Sequence, residues 1–354
     1  MNLKEMIGQE RIDSGMWWSK GCGLQIVEGC TKVSPGCDNC WSLAAANMRR
    51  FNPNPKVAAR YEGTVTRVSR HCVACQEANY NCNHHPGPPQ WTGLVNPQWA
   101  DLDKIGRARK PQVYTFWNDL FHEGVSFDLA GGKKNFIDEV IIRIITHPQH
   151  FYIICTKRLE RALEYFLSRQ DDLAAWPVAK EILSRRLMLM TTVENQDMAD
   201  LRLPVLLQIH GVLHGVSYEP ALGAVDFRKY LSGWKRTGGE VYWSNYNVSA
   251  PKLDCVVCGG ETGPQARPMH PDWPRQARDQ CQAAEVPFYF KSWGEWLPLN
   301  QAKTPATNNY HGAKTKSNWH WHPGNPSEAS IRVGKKAAGR LLDGRPWDEV
   351  PHVG

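Results

Sequence analysis

No stretch of this 354-residue chain approaches the length of a membrane span. The most apolar run, residues 140–146, is broken by Arg143, so a transmembrane helix is not expected. The opening "MNLKEMIGQE" has no apolar core of the kind a secretory signal needs. No long internal repeat is visible, which argues against a solenoid or propeller. Together these absences point to the cytoplasm, that of the host cell if the chain is phage-encoded. In a reducing compartment the eleven cysteines are not expected to form disulfides. Clustered thiols there read as metal ligands or redox groups. The charge excess is small: 42 basic against 35 acidic residues, or +7. That permits a polyanionic partner without demanding one. Apolar residues make up 42% of the chain, enough for a sizeable core. Fifteen tryptophans offer stacking surfaces as well as core filling.

The apolar pattern alternates between short β-rich runs and amphipathic helical stretches. Strands are expected over 23–27, 112–117, 151–155, 187–193, 211–217, 254–258 and 286–290. Several are almost continuously apolar, as strands buried on both faces are. Helices are expected over 41–51, 134–146, 158–168, 174–186, 196–208 and 273–284. In the second of these, Phe136, Val140, Ile141 and Ile144 share one face. The alternation implies an α/β fold with parallel strands joined by right-handed crossovers. Seven such units suggest a full or partial TIM-type (β/α) barrel. Residues 1–59 hold its first strand, a cysteine loop and a helix, and residues 94–299 hold the remainder. Residues 60–93 form a Cys/His-rich insertion, and residues 300–354 a basic tail.

Polar residues gather where each strand ends. The strands run into "NDLFHE", "TKR", "TTVEN", "SYEP", "GGETG" and "KSWGEW". Parallel barrels build their sites from those ends. The candidates there are Asn118, Asp119, Lys157, Arg158, Glu194, Glu219, Gly259, Gly260, Glu261, Lys291 and Trp293. Asn118, Asp119, Glu194 and Glu219 suit an amine or a ribose. Lys157, Arg158 and Lys291 suit a carboxylate or phosphate. Gly259 and Gly260 permit close backbone approach, and the alternative for them is a tight turn. Trp293 is a candidate for base stacking or for packing at the rim. Each charged member is equally consistent with a salt-bridged rim.

The string "GCTKVSPGCDNCW" falls just after the first strand. It spaces Cys30, Cys37 and Cys40 as C-x6-C-x2-C. A structural zinc needs a fourth ligand, and none follows in the helical "WSLAAANMRR". Three thiolates suffice for a [4Fe–4S] cluster with one iron left open. Zinc and unligated thiols are the alternatives. A second group, Cys72, Cys75, Cys82 and His84, supplies four soft ligands within the insertion. That spacing suits zinc, with an auxiliary iron–sulfur cluster as the alternative. Cys255 and Cys258 lie on one strand and should point to opposite faces, with Cys258 a candidate for the mouth.

The cysteine string resembles the opening motif of a phage and prophage protein family placed near the radical S-adenosylmethionine (SAM) enzymes. "NDLFHEGV", "CTKRLERA", "TTVENQDMADLR", "VSYEPALGAVD", "CVVCGGETGPQARPMHPDW", "VPFYFKSWGEW" and "GKKAAGRLLDGRPWDEVP" are similar too, in order, outside the insertion. The commonest radical SAM spacing is C-x3-C-x2-C, whereas the first gap here is six residues. The resemblance implies a radical SAM isomerase of phage thymidine hypermodification. Such an enzyme moves a glycyl group on thymine from nitrogen attachment to α-carbon attachment through a 5′-deoxyadenosyl radical. Cys30, Cys37 and Cys40 would then hold the cluster, and Asn118, Asp119, Gly259, Gly260 and Glu261 the SAM. Glu194, Glu219 and Lys291 would carry catalysis, and Lys157, Arg158 and Trp293 would meet substrate. DNA and a reductant such as flavodoxin or ferredoxin would be the partners. A radical SAM lyase repairing nucleic acid, and a non-enzymatic zinc protein binding nucleic acid, are the competing expectations.

Overall fold

The structure is a computed structural model and describes residues 3–8, 23–69, 86–116, 118–126, 135–232, 251–301, 319–322 and 329–351. The cluster at Cys72, Cys75, Cys82 and His84 lies outside the described residues.

Seven parallel strands form the central sheet: β1 Gly23–Leu24, β2 Val113–Phe116, β3 Phe151–Cys155, β4 Leu187–Thr192, β5 Leu213–Tyr218, β6 Cys255–Gly259 and β7 Phe288–Ser292. Their order across the sheet is their order in the chain. Each crossover therefore steps to the next position and never reverses. That is the winding of a (β/α) barrel, whereas a doubly wound sheet changes direction at a switch point. The sheet curls into a half-barrel, compatible with a partial β/α barrel. Among the described residues β1 and β7 do not pair with each other.

Six longer helices lie between the strands, two of them started by a capping asparagine. They are α1 Trp41–Arg49, α2 Phe136–Thr146, α3 Leu159–Ser168, α4 Pro177–Arg186, α5 Gln196–Leu206 and α6 Asp272–Ala283. Asn135 caps α2 by accepting from the amides of Ile137 and Asp138. Phe136, Val140, Ile141 and Ile144 are all buried, as their spacing predicts. Asn195 caps α5 in the same way, accepting from Met198.

Strand alternation divides the core in two. One set of side chains packs outward under the helices, including Phe116, Tyr152, Ile154, Leu189, Val216, Tyr218, Cys258 and Phe290. The other fills the inside of the curl: Val113, Phe151, Ile153, Met188, Met190, Cys255, Val257 and Tyr289, closed by Leu3 and Val350. Cys255 and Cys258 thus lie on opposite faces. Cys258 packs under the helices and does not reach the mouth.

The first strand is shorter than its sequence suggests. After Leu24 the chain leaves the sheet, and Val27–Glu28 pairs antiparallel with Asn96–Pro97. Within the insertion, Val65–Ser69 pairs antiparallel with Pro86–Trp91. Residues beyond 295 add a small antiparallel sheet of Trp296–Pro298, Ala329–Arg332 and Trp319–Trp321. Ala338, Leu342 and Trp347, within the segment read as a basic tail, belong to the outer core. Asp348 bridges Tyr289 on β7, which covers backbone at that edge of the sheet. No helix among the described residues is long and apolar enough to cross a membrane.

Candidate functional site

The two-residue period that builds the inner core also delivers the site. Continuing each inward row past its strand gives Cys155 then Lys157, Thr192 then Glu194, Ser217 then Glu219, Gly259 then Glu261, and Lys291 above Tyr289. Five strands thereby carry a charged residue to one rim above the apolar interior.

The cysteine loop lies across this rim. Pro35–Cys37 forms a 3₁₀ turn, with the Cys37 amide donating to the Ser34 carbonyl at 2.9 Å. The loop's side chains and carbonyls are held by residues from four strand ends. Ser34 Oγ donates to Glu194 Oε1 at 2.5 Å. Lys157 Nζ donates to Ser34 Oγ at 3.0 Å, to Glu194 Oε1 at 2.9 Å and to Cys37 Sγ at 3.5 Å. Arg267 donates to the Pro35 carbonyl at 2.9 Å and pairs with Asp38 and Glu261. Asn39 donates to Glu261 Oε2 at 3.1 Å. Arg158 reaches Thr31 Oγ1 while pairing with Asp119 at 2.6 Å and Glu123 at 2.9 Å. Gly36 rests on Glu194, where a Cβ would come within 2.4 Å of Oε1. Only a residue without a side chain lets the turn sit this low.

Glu194 is the hub. It is wholly buried, and Arg202 NH1 donates to its Oε2 at 2.9 Å. Burial raises its pKa, but Lys157 and Arg202 outweigh that and hold it below the usual carboxylate range. Glu194 is expected from sequence as a catalytic group. Its two oxygens are instead committed to Ser34, Lys157 and Arg202, so it acts as a strut beneath the loop. Lys157 and Arg158, expected to meet substrate, likewise face the loop and its supports. Asn118, expected at a cofactor, donates to the Val27 carbonyl and to Glu28 Oε2, bracketing the start of the loop. Asp119 is engaged by Arg158 and by Thr156 Oγ1 at 2.6 Å. Glu261 is taken up by Arg267 and Asn39.

Trp293 does not present a stacking face. It is 1% exposed, packs edge-on against Phe290, and donates its indole N–H to the Leu341 carbonyl at 2.8 Å. Gly260 packs against the Trp293 backbone, with a Cβ meeting its carbonyl oxygen at 2.1 Å. Gly260 therefore serves a close backbone crossing, where β6 and β7 turn past one another, while Gly259 faces the Glu219 side chain, where a Cβ would come within 2.7 Å of Oε1.

Glu219 and Lys291 remain at the mouth itself. They pair at 2.8 Å, with 15% and 22% of their side chains exposed. Lys335 feels the charges of both and of Glu295. Cys155 lies within electrostatic reach of Asp119, Lys157 and Glu219, and burial pushes its thiol up to about 11. Sequence reasoning named neither Lys335 nor Cys155 as a site candidate. The inward two-residue row that places Cys155 directly below Lys157 was available as a signal. Nothing in the spacing of "GKKAAGR" signals Lys335.

The three loop thiols are free and partly buried. Each senses another. Burial, then Asp119, pushes Cys30 up to about 11, with Cys40 and Cys37 adding to it. Burial also raises Cys40. Cys37 alone is lowered: burial opposes this, but the Lys157 ammonium and amide donors prevail. Among the described residues no three Cys, His, Asp or Glu side chains stand at metal-ligand spacing. The donor set nonetheless fits a group held by three thiolates. All three thiols sit on one loop with a braced turn, and a cation adjoins one sulfur.

Fold and site thus define a mixed α/β protein whose parallel half-barrel carries a braced three-cysteine loop over its strand ends. The chain belongs to the family described as "Protein of unknown function (DUF5131)", whose model matches residues 17–351. No curated protein and no solved structure matches it.

Proposed function

We propose that this chain is a radical SAM enzyme acting on a modified thymine base in phage DNA. Its reaction is the rearrangement of an N-linked glycyl-thymidine to the Cα-linked isomer. The observation that carries this reading is the position of Cys30, Cys37 and Cys40. They lie on one loop whose turn is braced over the C-terminal ends of a sequentially ordered parallel sheet. Those three thiolates would hold a [4Fe–4S] cluster. Bound there with SAM, that group supplies a 5′-deoxyadenosyl radical, chemistry that no side chain can perform.

The chain's own residues do the rest. A glycyl substituent presents an amine and a carboxylate. Glu219 and Lys291, 2.8 Å apart at the mouth, are a matching pair of opposite charges. Exchanging their mutual contact for the substrate's two ends fixes its α-carbon without leaving either charge unpaired. Lys335 adds positive charge on the carboxylate side. Below them, Ile153, Met190 and Val257 keep the floor apolar and exclude water from a reactive intermediate. The working place is the cytoplasm, with a flavodoxin or ferredoxin as reductant.

The test is anaerobic reconstitution with iron and sulfide, followed by reduction with SAM and nucleoside mass analysis of DNA bearing the glycyl base. The expected results are a brown protein, 5′-deoxyadenosine, and a nucleoside of unchanged mass but altered fragmentation. A colourless protein carrying only zinc refutes the reading. Repair of a thymine photoproduct with the glycyl base untouched replaces the isomerase with a lyase.

A further inference from the structure

Lys157 occupies a position that substrate binding does not explain. Its ammonium makes three contacts, all inward: Glu194 Oε1 at 2.9 Å, Ser34 Oγ at 3.0 Å and Cys37 Sγ at 3.5 Å. Its side chain is 18% exposed, and Glu194 beside it is not exposed at all. Glu194 is shared with Arg202, whose side chain is 4% exposed and whose guanidinium bonds the carboxylate at 2.9 Å and the Thr192 carbonyl at 2.6 Å. The cluster of charges therefore holds two cations and one anion. One net positive charge remains, and the group that carries it to the cysteine loop is Lys157. A half-buried lysine this constrained cannot swing out to a ligand without stranding Glu194 beside Arg202 alone and leaving Ser34 without its donor.

We infer that Lys157 is a positioning residue for the metal group at the cysteine loop. It donates a charge-assisted hydrogen bond to the Cys37 sulfur, and the buried Glu194–Arg202 pair holds it there. The inference rests on the radical SAM reading of the same loop. The physical consequence is asymmetry among three otherwise similar ligands. A donor and a positive charge at one ligand sulfur stabilise the extra electron of a reduced cluster, since hydrogen bonds to sulfur and net charge both set the potential. Cys30 stands differently: its thiol, which gives up its proton on ligation, points at the Thr31 carbonyl at 3.4 Å and not at a lysine. Lys157 thus eases reduction of the group from the side of Cys37.

The experiment compares wild type, Lys157→Met, Lys157→Gln and Lys157→Arg after anaerobic loading. Folding is checked by circular dichroism and iron content by assay. The readout is the midpoint potential of the bound cluster, followed by its electron paramagnetic resonance signal. Lys157→Met is expected to make reduction about tenfold less favourable, a downward shift of about 59 mV for a one-electron couple. Lys157→Gln keeps a donor but loses the charge, so it shifts the potential in the same direction by less. It carries the test should the Met variant fail to fold. Lys157→Arg restores most of the wild-type potential. Loaded Met and Gln variants with wild-type potentials overturn the role of Lys157 and leave the cluster reading standing. A wild-type protein that takes up no iron overturns both, and is recognised before any variant is compared.

Discussion

Gly36→Ala tests how firmly the cysteine loop is seated. Gly36 lies in the 3₁₀ turn, away from left-handed backbone, so alanine fits its conformation. That alone would stabilise the chain by about 0.4–1 kcal/mol through the unfolded state. The new methyl, however, would stand 2.4 Å from Glu194 Oε1, 2.8 Å from Cγ and 3.0 Å from Cδ. Ordinary contact with carbon begins at about 3.5 Å, so something must move by roughly 1 Å. Glu194 cannot yield cheaply. Ser34, Lys157 and Arg202 hold its oxygens at 2.5, 2.9 and 2.9 Å. Each such charged bond is worth about 1.5–3 kcal/mol. The loop must lift instead, at an overpacking cost of about 1–3 kcal/mol. The expected net loss is about 1–2 kcal/mol in urea unfolding, with a marked fall in iron uptake after anaerobic loading. Repeating the substitution in a Glu194→Ala background removes the obstacle, and the penalty of Gly36→Ala should vanish there. Equal penalties in both backgrounds would refute the argument, as would a Gly36→Ala variant as stable as wild type.

The small antiparallel sheet should respond to pH, and the glycine crossing to a single methyl. His322 is buried beside His270 and His320, with ring centroids 4.7 and 4.9 Å away, and with Asp272 and Ser330 the other polar groups near it. Burial, then the two histidines, depresses its pKa to about 4. Because the folded value lies below the unfolded one, stability is full above about pH 6.5 and falls as the pH drops toward 4, by at most about 3 kcal/mol. Replacing His322 with Gln should flatten that slope in pH-dependent urea melts, and an unchanged slope would contradict it. Gly260→Ala would drive a Cβ to 2.1 Å from the Trp293 carbonyl oxygen, an atom of backbone that cannot turn aside. It should cost more than about 3 kcal/mol, read as loss of soluble protein. Soluble variant with a wild-type melt would show that the β6–β7 crossing is slack.

Most of the scaffold was legible because its signals are local. Apolar runs at 151–155 and 187–193 and the four-residue face of α2 depend only on neighbours in sequence, and the sheet followed them strand for strand. Where a long-range partner decides the outcome, local pattern failed. The run at 23–27 reads as one strand, yet Val27 finds Asn96–Pro97 and leaves the sheet. Tail residues Leu342 and Trp347 are among the few apolar residues in a polar stretch, and nothing in their spacing says that the barrel needs them. For the site, strand ends mark charged residues in the sequence. They did not indicate pairing. Glu194, Glu219 and Glu261 look alike in sequence, each two residues beyond an inward position. Only the fold distinguishes them: Glu194 finds two cations and a serine, Glu261 finds Arg267 and Asn39, and Glu219 finds a lysine at the opening. Trp293 illustrates the same limit, since a tryptophan beside a polar rim packs or stacks according to what covers it.

The bracing of the cysteine turn bears on how such a site can be transplanted. Residues 30–40 form a contiguous peptide, yet their shape is set by Lys157, Arg158, Glu194, Arg202, Glu261 and Arg267, contributed from distant parts of the chain. Moving the peptide alone onto another parallel barrel would carry the sulfurs and leave behind the mould. The heritable unit is a discontinuous one, a turn together with the charges on which it was cast, and recombination that separates them yields a loop with its thiols in place and no fixed geometry.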